Sequence, residues 1–172
     1  MKFLLRRRTW LVAYLLALAV SHLVRWSAGD PALRPEQQAL RWAAGQLAYV
    51  NLPGPPESGA LPVLLVHGSP ARAYDQRALA AELARGRRVL VPDLPGFGSS
   101  SREQADYSIR AQAEALRAFL DELGVARVHV VGFSLGGGVA LHLQELDPAR
   151  VASLTLLSSI GVQELELLGH YG

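Results

Sequence analysis

The stretch that most constrains this chain is residues 127–146, RVHVVGFSLGGGVALHLQEL. Its first part is rich in the β-branched residue valine, which favours a strand. The pentapeptide G-F-S-L-G follows at residues 132–136, and small and apolar residues that favour a helix come after it. The order of strand, sharp turn and helix predicts that Ser134, at the apex of the turn, holds its hydroxyl clear of the end of a sheet.

Glycines surround Ser134 in a pattern that suits a strained turn. The residues two before and two after the serine are expected to lie close to neighbouring backbone, and Gly132 and Gly136 leave room for that approach. Gly137 and Gly138 are expected to let the helix lie close on the sheet. The alternative interpretation is a buried strand that ends in a flexible glycine loop, and the order of the elements disfavours it.

Other apolar runs predict further strands and helices. Strands are expected at residues 46–51, 61–67, 88–92 and 151–157. Helices are expected at residues 31–45, at 76–85 with Asp75 as a candidate cap, and after Ser108, which is expected to cap that helix. The continuous apolar run at residues 63–66 is typical of a parallel strand that is covered on both faces. Strands that alternate with helices at this spacing predict an α/β fold, with a mostly parallel sheet and helices on both faces.

Two more motifs stand at the ends of predicted strands. H-G-S-P at residues 67–70 follows one strand, and D-L-P-G-F-G-S-S at residues 93–100 follows the next. Together with G-F-S-L-G, and in this order and spacing, they resemble the first half of an α/β-hydrolase domain. The resemblance covers about 100 of the 172 residues, and it implies a partial α/β-hydrolase domain at residues 61–160.

The resemblance also implies roles for individual residues. Ser134 matches the nucleophile, and the backbone N–H groups of Ser69 and Leu135 match the oxyanion hole. His67 and Gly68 belong to the supporting loop, in which His67 is expected to hold the loop by hydrogen bonds rather than to act as a base. A serine at this position argues against the haloalkane dehalogenase and epoxide hydrolase branches, which use aspartate there.

The family pattern requires an acid and then a histidine after the serine. Only 38 residues follow Ser134, and we find no suitable pair among them. Residues 161–172, which include Glu164, Glu166 and His170, resemble the start of a helical cap. We therefore expect that the triad acid and histidine are not present in this chain, which is interpreted as a fragment or a truncated gene product.

The remaining histidines and one acid are assigned other roles. His142 lies eight residues past Ser134, about 12 Å along a helix, and is too far away to act as its base. His129 alternates with valines in a strand and is expected to be a hydrogen-bonded core residue. His22 falls within the N-terminal apolar run. Asp93 begins a tight glycine loop and is expected to bond local backbone N–H groups.

The N-terminus predicts a signal or a membrane anchor at residues 1–26. Sixteen uncharged residues, 9–24, follow three arginines and cover roughly 24 Å as a helix, and Trp10 and Trp26 lie at the two ends of the run. An uncleaved anchor, a cleaved signal and a buried soluble helix are the three alternatives. The first places the protein on the membrane through residues 9–26 with its domain on the extracytoplasmic side, and the second makes it secreted. Residues 27–60 are expected to form an N-terminal helix and a linker.

Composition excludes several classes of function. Cysteine is absent, so disulfides and thiolate metal sites are excluded. Residues 27–172 contain 12 arginines and 15 acidic residues, a net charge of −3, so the domain has no basic stripe for nucleic acid. No metal-ligand spacing is visible, and we expect no metal and no cofactor.

The sequence therefore favours a serine hydrolase that forms an acyl-enzyme on Ser134 and acts on a small-molecule, ester-like substrate. The 172-residue chain alone is expected to be inactive. Two alternatives remain open: a non-catalytic half-fold that serves as a binding module or is a remnant, and an acyltransferase that uses the same turn.

Overall fold

The structure is a computed structural model, and it describes residues 2–27, 31–42 and 45–161. Four α-helices and six strands are described. The helices are α1 (Lys2–Ser27), α2 (Arg77–Leu83), α3 (Ile109–Glu122) and α4 (Leu135–Leu146). The strands are β1 (Gln38–Trp42), β2 (Gly45–Leu52), β3 (Val63–Val66), β4 (Val89–Pro92), β5 (Val128–Phe133) and β6 (Val151–Leu157). A 3-10 turn at Ala73–Gln76 precedes α2.

The six strands form one sheet in the order β1-β2-β4-β3-β5-β6. Strands β3, β4, β5 and β6 run parallel, whereas β1 and β2 are antiparallel to their neighbours. The mostly parallel sheet predicted from the sequence is therefore confirmed. Because β3 lies between β4 and β5, the loops that follow these three strands meet at the same edge of the sheet.

Helices cover both faces of the central strands. Helices α3 and α4 pack on one face over the larger core, in which Leu116, Phe119 and Leu120 of α3 are fully buried. Helix α2 covers the other face, where Ala80 packs near Leu65 of β3. Each fully buried leucine or phenylalanine contributes about 1.5–3 kcal/mol relative to an exposed one, so the two cores fix the central strands in place.

The predicted helix at residues 31–45 is wrong, because this part of the chain contains β1. Residues Gln38–Trp42 pair with β2 as an antiparallel hairpin. Leu40, an apolar residue of this segment, packs against the larger core from a strand. Alternate residues of a strand share a face, so Leu40 and Trp42 fit a strand as well as a helix, and pairing with β2 decides the outcome.

Two cap predictions have different outcomes. Ser108 caps α3 as expected, and its hydroxyl accepts a hydrogen bond from the Ala111 N–H at 3.2 Å. Asp75 does not cap α2, since the residue at that position is Gln76. Asp75 instead accepts a hydrogen bond from the Arg72 N–H at 3.0 Å and so closes the preceding 3-10 turn.

Helix α1 is exposed along its apolar run. Trp10 is 76% exposed, and the described side chains from there to Val24 are exposed as well. Among the described residues, no helix combines the length and the apolar character that crossing a membrane requires. The structure therefore does not support the predicted membrane-spanning segment. Of the predicted start of a cap region, residues 161–172, only residue 161 is described, and residues 162–172 lie outside the described part of the chain.

Candidate active site around Ser134

Ser134 stands at the junction of β5 and α4, at the carboxyl edge of the parallel strands. Its backbone angles are φ 52° and ψ −117°, which L-residues rarely adopt. The Ser134 N–H donates to the Leu157 carbonyl at 3.0 Å, and its own carbonyl accepts from the Gly137 N–H at 2.9 Å. These bonds to the end of β6 and to the first turn of α4 hold the serine in this conformation.

The glycines next to Ser134 lie against backbone. A Cβ on Gly132 would lie 2.6 Å from the Gly136 carbonyl oxygen, and one on Gly136 would lie 2.3 Å from the Val66 carbonyl oxygen. No side chain fits at either position, so α4 approaches the ends of β3 and β5 directly. A Cβ on Gly137 would lie 2.0 Å from the Ser159 hydroxyl oxygen, so this glycine makes room for the loop after β6 rather than for the sheet.

The loop after β3 meets Ser134 at Gly68. A Cβ on Gly68 would lie 3.0 Å from the Ser134 Cβ and 3.0 Å from the Phe133 carbonyl oxygen. The next residue is Ser69, which is exposed. Within the described residues, the Ser69 N–H and the Leu135 N–H have no hydrogen-bond acceptor. Leu135 is the first residue of α4, where an N–H has no acceptor within the helix. Two N–H groups are thus available beside the serine.

His67 is fully buried and uses both ring nitrogens for hydrogen bonds. Its Nε2 accepts from the Leu94 N–H at 2.9 Å, so Nδ1 carries the proton and donates to the Gly68 carbonyl at 2.8 Å. Burial lowers the pKa of His67 below its ordinary value, and the Gly68 bond and the carboxylates of Asp93 and Asp75 oppose that effect in part. His67 is therefore a neutral residue that joins two loops.

Asp93 is 1% exposed, and its carboxylate accepts three hydrogen bonds. The Ala73 N–H donates to Oδ1 at 2.6 Å, while the Gln37 amide and the Ser99 N–H donate to Oδ2 at 2.7 and 2.9 Å. Only Ser99 belongs to the local glycine loop that the sequence suggested. A Cβ on Gly98 would lie 2.2 Å from the Asp93 Cγ, so the loop wraps closely around the carboxylate.

Two further histidines whose side chains the structure describes, His129 and His142, do not reach Ser134. His129 is half-buried, and its Nδ1 lies 2.7 Å from the Ser153 hydroxyl oxygen. It precedes Ser134 by five residues of extended strand, a distance of about 16 Å. The Nδ1 of His142 lies 3.1 Å from the Gly138 carbonyl oxygen on the same helix. In residues 2–27, 31–42 and 45–161, no side chain forms a hydrogen bond with the Ser134 hydroxyl.

Apolar side chains are exposed around the serine. Phe133 is 44% exposed, Leu157 is 41% and Ile160 is 37%. Backbone bonds place two of them beside Ser134, because Leu157 accepts its N–H and the Ile160 N–H donates to its carbonyl at 3.3 Å. The surface next to the hydroxyl therefore suits an apolar group. In the described part of the chain, no group of three or more histidine or acidic residues is arranged to hold a metal ion.

Sequence reasoning missed Gln37 and Arg34 as residues that contact this region. Both precede β1, and the helix expected there gave no reason to place them near the loops of the site. Arg34 stacks on the Tyr74 ring with its guanidinium carbon 4.6 Å from the ring centroid, and Arg77 stacks at 4.2 Å. An arginine and a glutamine in a polar segment carry no periodic signal, so no pattern in the sequence identifies these contacts.

Comparison with known proteins shows the family to which this chain belongs. A family model for the alpha/beta hydrolase fold matches residues 62–168. The chain is 37% identical over 139 residues to a dihydrolipoyllysine-residue acetyltransferase component of the acetoin cleaving system of Pseudomonas putida, which covers 78% of this chain and 36% of that protein. It is 39% identical over 111 residues to the 2-hydroxymuconate semialdehyde hydrolase of Pseudomonas sp. strain CF600, with coverage of 62% and 39%.

Solved structures show the same similarity in three dimensions. A probable hydrolytic enzyme from Pseudomonas aeruginosa PAO1 superposes with a TM-score of 0.68 at 32% identity, over 82% of this chain and 46% of that one. An enzyme that degrades N-acyl homoserine lactones superposes with a TM-score of 0.65 at 28% identity, over 71% and 45%. The chain thus spans less than half the length of these relatives.

Proposed function

Since the chain belongs to the alpha/beta hydrolase fold family, we propose that it carries the nucleophile and the oxyanion hole of a serine hydrolase. The observation that carries the proposal is the backbone of Ser134, held at φ 52° between β5 and α4. A serine in this rarely adopted conformation, at the end of a strand and beside two available N–H groups, is arranged for attack on an acyl carbon.

The chemistry follows from that arrangement. The Ser134 oxygen attacks the carbonyl carbon of an ester and transfers its proton to a general base. The carbonyl oxygen takes up negative charge and accepts hydrogen bonds from the Leu135 and Ser69 N–H groups. Collapse of this intermediate expels the alcohol, which takes a proton, and leaves an acyl-enzyme that water then hydrolyses. Loss of one such N–H donor costs about 2.7–4 kcal/mol of barrier, so the two donors supply a large part of the catalysis.

The general base and its acid are proposed to lie beyond the described residues. Support comes from the histidines in place: both nitrogens of His67 are engaged, and His129 and His142 are too distant. A serine hydroxyl without an adjacent base is a weak nucleophile. Residues 2–161 on their own are therefore proposed to lack efficient turnover.

We propose esters and related acyl compounds with a small or medium apolar acyl group as the substrate class. The exposed side chains of Phe133, Leu157 and Ile160 beside the serine suit such a group. Acidic and basic side chains are absent from these three positions, and an anionic acyl group would gain no ion pair there.

The test is to form and locate the acyl-enzyme. In the full-length protein, a p-nitrophenyl ester should release a burst of nitrophenol and add one acyl group, found by mass spectrometry on Ser134. Ser134→Ala should abolish both signals. Ser153→Ala is the matched control, because Ser153 is the serine whose hydroxyl bonds a histidine ring. Normal turnover in Ser134→Ala, or its loss only in Ser153→Ala, would reject the proposal and leave a non-catalytic half-fold or another nucleophile.

A second candidate function is acyl transfer to an alcohol or a thiol. One specific observation favours it: a relative that is 37% identical over 139 residues is an acetyltransferase component. Transfer would use the same acyl-enzyme with a different acceptor. Adding an alcohol or thiol during turnover and measuring the acylated product separates the two, since a hydrolase yields mainly the free acid.

For placement in the cell, we propose that α1 associates with a membrane surface or serves as a signal. The exposed apolar side chains of α1 from Trp10 to Val24 support this proposal, as do the three arginines before them in the sequence. A signal function of α1 would place the domain on the extracytoplasmic side, because the arginines that precede the apolar run stay in the cytoplasm.

A further inference from the structure

The carboxylate of Asp93 joins three separate segments of the chain. Its donors are the side chain of Gln37 before β1, the backbone of Ala73 after β3, and the backbone of Ser99 after β4. Among the described residues, no arginine or lysine pairs with this buried carboxylate. Buried polar groups need hydrogen bonds, so these three N–H donors hold Asp93 in the interior and are themselves ordered by it.

Two contacts from the β4 loop flank Ser69. On one side, the Leu94 N–H donates to His67, two residues before Ser69. On the other side, Asp93 Oδ1 accepts from the Ala73 N–H, four residues after it. The short segment between these contacts carries the N–H proposed for the oxyanion hole. Its position is therefore set by two adjacent residues, Asp93 and Leu94.

Gln37 fixes the orientation of the Asp93 carboxylate. The Gln37 Oε1 accepts from the Arg34 N–H at 3.1 Å, so the amide nitrogen faces Asp93 and donates to Oδ2 at 2.7 Å. With Oδ2 held by Gln37 and by Ser99, the carboxylate is restrained from rotating about its Cβ–Cγ bond, and Oδ1 stays directed at Ala73. Arg34 adds a second attachment by stacking on Tyr74, the residue after Ala73.

We propose that Gln37 is a positioning residue for the Ser69 N–H, acting through Asp93 and Ala73. This inference rests on the proposed function, because it assigns Gln37 to the same oxyanion hole. Gln37 touches neither the substrate nor Ser134, so its effect is on the placement of a donor that strengthens its bond in the transition state. Loss of such an effect lowers kcat and leaves KM nearly unchanged.

The experiment compares Gln37→Leu with Gln38→Leu in the full-length protein. Gln38 is the exposed neighbour on β1, so its variant controls for the same chemical change in the same segment. Turnover of p-nitrophenyl acetate is measured below the melting temperature of both variants, and amide hydrogen exchange is measured at Ala73. We expect kcat to fall on the order of 10-fold in Gln37→Leu, less than the loss of a whole oxyanion donor. KM should stay within twofold, Ala73 should exchange faster, and Gln38→Leu should match the wild type.

Other outcomes overturn the inference and are distinct from failure of the proposed function. If Ser134→Ala abolishes turnover but Gln37→Leu keeps the wild-type kcat, Gln37 does not position the donor. A lower melting temperature with unchanged kcat would show a merely structural contact. If Ser134→Ala retains turnover, the proposed function itself fails. In that case, unchanged amide exchange at Ala73 in Gln37→Leu would show that Gln37 does not hold the loop either. Faster exchange would show that Gln37 holds the loop but has no part in catalysis.

Discussion

The backbone N–H of Leu94 donates to Nε2 of His67 over 2.9 Å, inside the core and between two loops of the site. The bond requires a neutral imidazole, because a protonated ring carries a hydrogen on Nε2 and cannot accept. Protonation of His67 would therefore break the contact that holds one side of the Ser69 segment. Histidine at this position serves as a neutral acceptor rather than as a base.

His67 is predicted to lower the free energy of unfolding when the pH is lowered. Burial lowers its pKa in the folded state, so below about pH 6.5 the unfolded chain binds a proton that the folded chain does not. The free energy of unfolding should be highest above this pH and should decrease as the pH falls towards the folded-state pKa. His67→Gln removes this titration. Urea unfolding at pH 8 and pH 5 should show a smaller pH difference for His67→Gln than for the wild type.

His142→Gln is the control for that measurement. His142 is half-buried on α4, and its change leaves the bond between Leu94 and His67 intact. Its pH difference should stay close to the wild-type value. Equal pH differences in the wild type and in His67→Gln would contradict the assignment of the neutral, buried acceptor.

The packing of α4 on the sheet predicts a large cost for Gly136→Ala. The added methyl would lie 2.3 Å from the Val66 carbonyl oxygen and 2.5 Å from that of His67, and backbone atoms of a central strand have little room to move. We expect a loss of about 3 kcal/mol in the free energy of unfolding, measured in urea. Gly86→Ala is the control, since nothing lies within 4 Å of the added atom, and it should be nearly neutral. Similar losses for the two would refute the close approach.

The parallel sheet could be predicted from the sequence because its strands carry a strong local signal. Strands β3 and β4 are buried at every position, and their continuous apolar runs need no knowledge of partners. The turn at Ser134 is equally local, since two glycines and a serine specify it. The sequence predicts a helix where β1 lies, because the few apolar residues of this segment fit both periods and only pairing with β2 distinguishes a strand from a helix.

The contacts of Asp93 could be predicted only in part. Its position at the start of a glycine loop indicated hydrogen bonds to local N–H groups, and Ser99 is such a donor. Gln37 lies 56 residues away in the chain, and Ala73 lies 20 residues away. Contacts at this separation depend on how the sheet assembles. A single sequence carries no signal for them.

Deletion of residues 1–26 is predicted to release the protein from membranes. Intact protein should pellet with the membrane fraction because α1 exposes apolar side chains such as Trp10 and Leu15. The deletion removes that surface and should move the protein to the soluble fraction. Leu15→Glu with Leu16→Glu is a milder test, because it places charges on the apolar surface of α1 without shortening it. Equal partitioning of the intact and the shortened protein would reject membrane association.

Strand β6 is the outermost strand on its side of the described sheet, and it pairs with β5 alone. Its sequence, VASLTLL, carries no charge and no proline, the residues that natural edge strands use against pairing with other chains. Unpaired N–H and C=O groups along an uncharged strand favour association between copies. We therefore predict that purified residues 27–172 associate or aggregate through this edge and lack triad-level esterase activity.

Sedimentation and p-nitrophenyl ester turnover test this prediction together. Thr155 is exposed on β6, so Thr155→Lys adds a charge to the edge without removing a buried side chain. It should shift the protein towards monomer, while Thr155→Ser, which keeps the hydroxyl and adds no charge, should associate like the wild type. A stable monomer of unsubstituted residues 27–172 would show that the edge of β6 does not cause association between copies. Turnover in that monomer that Ser134→Ala abolishes would show, in addition, that residues 27–172 supply their own base.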